Sequence, residues 1–134
     1  MATMNQHAFL TDEWFAAVKE LVTAAGNLEV PPALAALSVN VVIEMPDGTE
    51  KPAALVDMVL RSGHLRSAAT TMYLETPLAR KLFIDGDNMA GLFAFMSGDM
   101  RVEGDVSMMG VIQGEAPSPK MRALAEKIRE VTGP

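Results

Sequence analysis

Residues 92–109, LFAFMSGDMRVEGDVSMM, are the most informative segment of this chain. An apolar helix is predicted to end at Gly98, because glycine commonly follows the last helical residue. A short alternating strand follows, and the chain turns at Gly104-Asp105 into a second apolar helix. Methionine-rich apolar side chains from two helices therefore surround one strand. This arrangement indicates a pocket for an apolar molecule and no catalytic chemistry.

The sequence before this segment predicts one helix and then strands. Thr11 can cap a helix over residues 11–25, whose apolar residues recur at helical spacing. Residues 38–45 alternate as a strand does, and the Pro46-Asp47-Gly48 turn should lead into a partner strand that continues to Leu60. Residues 65–75 predict a third strand. Because short turns join the three strands, they are expected to be antiparallel.

Helices predominate in the second half of the chain. Thr76 is expected to cap a short helix that has Pro77 at its first position. The predicted elements that follow are a helix over 89–97, a strand over 100–103, a helix over 107–113 and a C-terminal helix over 118–132. Strands followed by helices predict an α+β fold, with helices on one face of the sheet.

Length and charge exclude several classes of protein. The 134 residues predict a single domain spanning residues 1–134, with residues 1–10 as a flexible tail. A formal charge of −6 disfavours nucleic-acid binding and stable adhesion to anionic lipid, and leaves at most transient membrane contact. The absence of cysteine excludes thiolate chemistry and fits a cytoplasmic location, as does an N-terminus without a signal-like apolar block.

The sequence contains no recognisable catalytic or metal-binding set. His7 and His64 are far apart in the chain and have no metal-ligand spacing. Asp85-Gly86-Asp87-Asn88 resembles the start of a calcium loop, but helix capping by Asp87 or Asn88 is the better interpretation. Asp99 and Glu103 should flank Arg101 on a solvated strand face. We therefore expect no enzyme activity, no metal and no cofactor.

One segment of the sequence resembles the sterol carrier protein type two domain. It begins at Gly86-Asp87, continues through Ala94-Phe95-Met96-Ser97-Gly98 and Arg101-Val102-Glu103-Gly104-Asp105, and ends in an apolar helix near Gln113. This resemblance implies a five-stranded, mainly antiparallel sheet covered on one face by helices, with an apolar tunnel between them. It also implies binding of a fatty acid, a fatty acyl thioester or a sterol-like lipid. The implied ligand-binding residues are Leu92, Phe93, Phe95, Met96, Met108, Met109 and Ile112.

Two functions remain open from the sequence. The first is binding or carriage of an apolar small molecule without catalysis, with the C-terminal helix packed on the core or acting as a lid. The second is a structural or dimerisation module, since domains of this type also occur at the carboxyl end of alkyl sulfatases. Under the second function the protein would be a homodimer. The sequence does not distinguish a tunnel that is open from one that is filled by side chains.

Overall fold

The computed structural model describes residues 6–114 and 117–133, and the side chains of Asn88, Met108, Met109 and Gln113 lie outside the described part. The helices are α1 (Asp12–Ala25), α2 (Pro32–Ala35), α3 (Thr76–Phe83), α4 (Asn88–Ser97), α5 (Met108–Gly114) and α6 (Pro119–Glu130). The strands are β1 (Val39–Glu44), β2 (Glu50–Val56), β3 (Val59–Ser62), β4 (Thr70–Glu75) and β5 (Arg101–Gly104).

The five strands form one mixed sheet in the order β3-β2-β1-β4-β5. Neighbouring strands are antiparallel except for β1 and β4, which are parallel. In β1, Val39, Val41 and Ile43 have no exposed surface, and they alternate with partly exposed residues. Strand periodicity places these three side chains on one face, which packs against the helices. The structure thus confirms the predicted α+β class with a mainly antiparallel five-stranded sheet.

The strand predicted to run from Thr49 to Leu60 is two strands joined by a tight hairpin. Val56 pairs with Val59, and the two residues between them both have positive φ, 53° at Asp57 and 65° at Met58. Such a turn normally has Asn, Asp or Gly at the first of these positions and Gly at the second. Asp57 fits the first position but Met58 does not fit the second, so the sequence marks the hairpin only weakly, and the prediction of one continuous strand was wrong.

The expected antiparallel placement of the third strand was also wrong. Residues 63–69 do not form a hairpin turn but cross the outer face of the sheet, where the backbone of Leu65 bonds the Asn40 side chain at 2.7 and 3.3 Å. The amide of Ala69 donates to the Ser38 hydroxyl at 3.1 Å. The chain therefore returns to the start of β1, and β4 runs parallel to it.

Side-chain caps begin three of the helices where the sequence predicted them. The side chains of Thr11, Asp87 and Ser118 accept hydrogen bonds from the amides of Trp14, Ala90 and Met121, respectively. The predicted cap of α3 is different. The Thr76 hydroxyl donates to the carbonyl of Glu44 at 2.8 Å and makes no cap, so it joins α3 to the end of β1.

Residues 6–10 are part of the folded core and not of a flexible tail. The amide of His7 donates to Val131 at 2.8 Å, and the amide of Gly133 donates back to His7 at 2.8 Å. Phe9 and Leu10 are buried, and the Phe9 ring meets Trp14 edge-to-face at 5.0 Å. The expectation of a flexible segment was therefore wrong over residues 6–10, because two apolar side chains pack into the core. Residues 1–5 lie outside the described part of the chain.

Candidate functional site

An apolar cavity of about 430 Å³ lies between the inner face of the sheet and the helices. Its floor is formed by apolar side chains of the sheet and of the segment before β5, namely Leu55, Val59, Leu60, Met72 and Met100. Trp14 and Val18 of α1 form one wall. A volume of this size is within the range of small-molecule pockets in proteins.

Helix α6 covers the cavity with the apolar side of an amphipathic helix. Met121, Leu124 and Ile128 are buried and line the cavity, as does the more exposed Ala125. Their spacing of three or four residues places them on one side of the helix. The predicted C-terminal helix over 118–132 is therefore α6, and its apolar side packs over the cavity.

The cavity opens between α6 and the loop that joins α3 to α4. Exposed residues from both sides of this opening line the cavity, namely Asp85, Gly86, Arg122, Ala125, Glu126 and Arg129. We call this opening the mouth. The deep lining is mainly apolar, and four of the five charged lining residues are at the mouth, the fifth being the half-buried Asp57 of the turn between β2 and β3. The site therefore resembles the binding sites of amphiphilic or apolar small molecules.

Arg129 bridges the mouth. Its Nε donates to the carbonyl of Ile84 at 3.3 Å, and its Nη2 donates to the carbonyl of Asp85 at 3.4 Å. Its Nη1 also lies 3.8 Å from the carboxylate of Glu126, which is on the same helix. These contacts join α6 to the loop between α3 and α4, so Arg129 restricts the opening through which a ligand would pass.

Two of the seven predicted ligand-binding residues line the cavity. Leu92 of α4 and Ile112 of α5 reach it from different helices. The prediction also included Met108 and Met109 of α5, whose side chains lie outside the described part of the structure. Contact between these two methionines and a ligand therefore stays a prediction.

The structure places the other three predicted residues on the surface. Phe93, Phe95 and Met96 of α4 are 61, 37 and 74% exposed, and they do not line the cavity. The difference arises because α4 is apolar on all sides, so the sequence does not show which side faces inward. Gly91 and Leu92 define the inward side, where Gly91 packs against the side chain of Leu82.

Sequence reasoning did not select the residues of the sheet and of α6 that line the cavity. Met72, Met121 and Leu124 all show the periodicity of buried residues, but that pattern is the same for a residue that faces a cavity and for one in a filled core. The polar residues at the mouth were missed too. Arg122, Glu126 and Arg129 lie four and three residues apart, and this spacing on one helix was the available signal.

Asp99, Arg101 and Glu103 are exposed, but only Arg101 and Glu103 belong to β5, because Asp99 lies before the strand. Arg101 lies 3.5 Å from the carboxylate of Glu103, and its guanidinium stacks 4.2 Å from the ring centroid of Tyr73. Asp99 instead accepts a hydrogen bond from Ser97 at 3.1 Å.

Among residues 6–114 and 117–133, no group of three or more His, Asp or Glu side chains could hold a metal ion.

No helix within the described part of the chain is both long and apolar enough to cross a membrane. The apolar helix α4 has only ten residues, against about 20 that a membrane-spanning helix needs.

In the described part of the chain, the arrangement of five strands and six helices around this cavity is the fold of sterol carrier protein 2 domains. Sterol carrier protein 2 from Yarrowia lipolytica, in its apo form, is 14% identical, with a TM-score of 0.52 over 78% of this chain and 94% of that chain. Sterol carrier protein 2 like 2 from Aedes aegypti is 15% identical, with a TM-score of 0.50 over 75% and 94% of the two chains.

The likeness extends over the whole chain in a third structure. A conserved hypothetical protein from Thermus thermophilus is 13% identical, with a TM-score of 0.52 over 100% of this chain and 98% of that chain. No family model matches the sequence, and no curated protein matches it significantly. At such low identity the similarity defines the fold, in agreement with the resemblance found in residues 86–113.

Proposed function

We propose that this protein binds an apolar or amphiphilic small molecule in the cavity between the sheet and α6, and carries it without altering it chemically. The observation that supports this proposal is a mainly apolar cavity of about 430 Å³ whose charged lining residues, except Asp57, lie at the mouth. The candidate ligands are a fatty acid, a fatty acyl thioester and a sterol-like lipid. The structural neighbours named as sterol carrier proteins are consistent with this class of ligand.

Burial of the ligand's apolar part would supply most of the binding free energy. Each methylene group transferred from water contributes about 0.8 kcal/mol, so a chain of roughly 12 carbons allows micromolar binding after the cost of ordering the ligand. A polar head group would remain at the mouth, where Arg122 and Arg129 offer hydrogen-bond donors and Asp85 and Glu126 offer acceptors. No reacting group is required for this function.

Titration with a fluorescent fatty-acid analogue tests the proposal. We expect saturable binding with a dissociation constant in the micromolar range. Leu92→Gln places a polar amide at the cavity wall and should weaken binding about tenfold, because the amide loses water when the ligand enters. Phe93→Gln is the matched control, since the neighbouring side chain on α4 faces solvent. Absence of saturable binding by the wild-type protein would contradict the proposal.

A second matched pair of variants tests whether the ligand enters the cavity through the mouth. Ala125 lines the cavity, whereas Ala123 is exposed on the same helix and does not line it. Ala125→Trp should reduce affinity for the fatty-acid analogue about tenfold because the indole ring occupies the entrance. Ala123→Trp should leave the affinity unchanged. Equal effects of the two substitutions would place the entrance elsewhere.

A further inference from the structure

The outer face of α4 is an exposed apolar surface directly beside the cavity. Met89, Phe93 and Met96 are 49, 61 and 74% exposed. Their separations of four and three residues place them on the same side of the helix. We call these three residues the α4 outer face. Exposed large apolar side chains that cluster in this way commonly mark an interaction site.

The helix that carries this surface also forms part of the cavity wall. Gly91 and Leu92 face the cavity, while Phe93 and Met96 face solvent. All ten residues of α4 lack an ionisable group. A single apolar helix therefore separates the cavity from the α4 outer face, so the surface on which α4 rests would lie next to the cavity.

Charges around α4 restrict the kind of partner. Between Lys81 and Arg101 the sequence contains three acidic residues, Asp85, Asp87 and Asp99, and no basic residue. All three acidic residues are exposed, two before α4 and one after it. Arg129 of α6 reaches the backbone of Asp85, but Asp87 and Asp99 lie at the two ends of α4. These two carboxylates would repel an anionic surface, whereas a surface without net charge would not be repelled.

The size and charge of the surface also disfavour a second copy of this chain. Three side chains of one short helix supply far less than the ~800 Å² per partner that a standard stable interface buries. Symmetric pairing of two copies would also bring Asp87 or Asp99 of each copy close to carboxylates of the other. A lipid surface without net charge requires no large protein interface and brings no carboxylates close to those of α4.

We infer that the α4 outer face docks the protein on electrically neutral lipid surfaces, with Met89, Phe93 and Met96 entering the interface between lipid head groups and acyl chains. Binding to such a surface does not depend on the proposed function of the cavity. If that function is correct, docking would place the wall of the cavity against the source of its ligand.

Co-sedimentation with vesicles tests the inference. We expect wild-type protein to bind phosphatidylcholine vesicles, and to bind less when phosphatidylserine is added. Raising the salt concentration should partly restore binding to the phosphatidylserine vesicles because it screens the repulsion. Proteins that dock through basic residues show the opposite response to both changes. Stronger binding to phosphatidylserine vesicles would overturn the inference.

A pair of charge variants locates the surface. Phe93→Glu should lower the bound fraction on phosphatidylcholine vesicles at least about tenfold, because a carboxylate at the centre of the patch must then enter the apolar interface. Ala123→Glu adds the same charge to an exposed position of α6 and should have little effect. Equal binding by the two variants would overturn the inference.

Two further measurements distinguish docking on lipid from dimerisation and from ligand binding in the cavity. Sedimentation velocity without lipid should show a monomer, and a dimer that Phe93→Glu dissociates would assign the surface to a second copy and overturn the inference. The fatty-acid analogue, titrated without vesicles, should bind Phe93→Glu as it binds wild-type protein. If the wild-type protein binds vesicles but does not bind the analogue, the result contradicts the proposed function of the cavity and leaves the docking inference standing.

Discussion

The indole Nε1 of Trp14 donates a hydrogen bond of 2.8 Å to the hydroxyl of Thr132, across a separation of 118 residues in the sequence. Both groups are buried, and the Thr132 hydroxyl donates in turn to the carbonyl of Ile128 at 2.6 Å. This chain of hydrogen bonds joins the first helix to the last. It holds α6 over the cavity, since Trp14 and Ile128 are also part of the lining.

Thr132→Val should destabilise the protein by about 1–3 kcal/mol, because the buried Trp14 N–H loses its acceptor while the size of the side chain is retained. Thr132→Ser keeps the hydroxyl and should cost less. Denaturation in urea, followed by the fluorescence of the single tryptophan, measures both variants. Equal losses would mean that the methyl group of Thr132 stabilises the fold as much as its hydroxyl does.

Gly104→Ala should destabilise the protein by roughly 3 kcal/mol, the upper end of the cost of a strained backbone position. Gly104 has a φ of 93° at the end of β5, and an added Cβ would overlap the carbonyl oxygen of Ala69. Gly110→Ala is the control, because a Cβ there meets no atom and φ is not positive. Thermal unfolding of the two variants should differ clearly, and similar midpoints would contradict this account of Gly104.

Arg129→Met should increase the rate of ligand exchange severalfold by removing two hydrogen bonds across the mouth, each worth about 1 kcal/mol. Stopped-flow displacement of the fluorescent fatty-acid analogue measures this rate. Arg80→Met removes a different arginine contact, a 2.6 Å hydrogen bond to Gly133 that lies outside the mouth, and should leave exchange less affected. A faster exchange in Arg80→Met alone would show that Arg129 does not limit entry.

The carboxyl group of Asp105 should titrate below its usual range. Hydrogen bonds from the Ser107 hydroxyl and then from the Ser107 amide lower its pKa, because both stabilise the charged form. A lowered pKa in the folded state stabilises the fold above the unfolded pKa, and this contribution is lost as the pH falls through the folded value. Carboxyl NMR titration of Ser107→Ala should show the pKa of Asp105 rising, whereas an unchanged midpoint would exclude the Ser107 hydroxyl as a cause.

Local signals in the sequence predicted several elements correctly. The caps at Thr11, Asp87 and Ser118 depend on a short polar side chain next to a helical segment, which is visible without any tertiary contact. The alternation in 39–44 and the glycine at 98 similarly predicted β1 and the end of α4. The specific residues in 86–113 predicted the fold, and the solved structures agree with it.

The path of the chain between strands depended on contacts that the sequence does not reveal. The hairpin at Asp57-Met58 lacks the glycine that is usual at its second position, and Met58 keeps a positive φ where β2 pairs with β3. The parallel placement of β4 depends on the crossing segment, which Asn40 and Ser38 hold through side-chain hydrogen bonds. Both features follow from pairing between strands, and no local pattern marks them.

The sequence by itself determined the α+β class, most of the helix boundaries and the concentration of apolar residues around β5. Only the tertiary structure decided which of those residues face the cavity. Leu92 faces inward and Phe93 faces solvent, although both belong to a helix without a polar side. An amphipathic helix reveals its orientation because burial of its polar side would cost free energy, and α4 has no such side. Its orientation is therefore set by packing, including the close contact of Gly91 with Leu82.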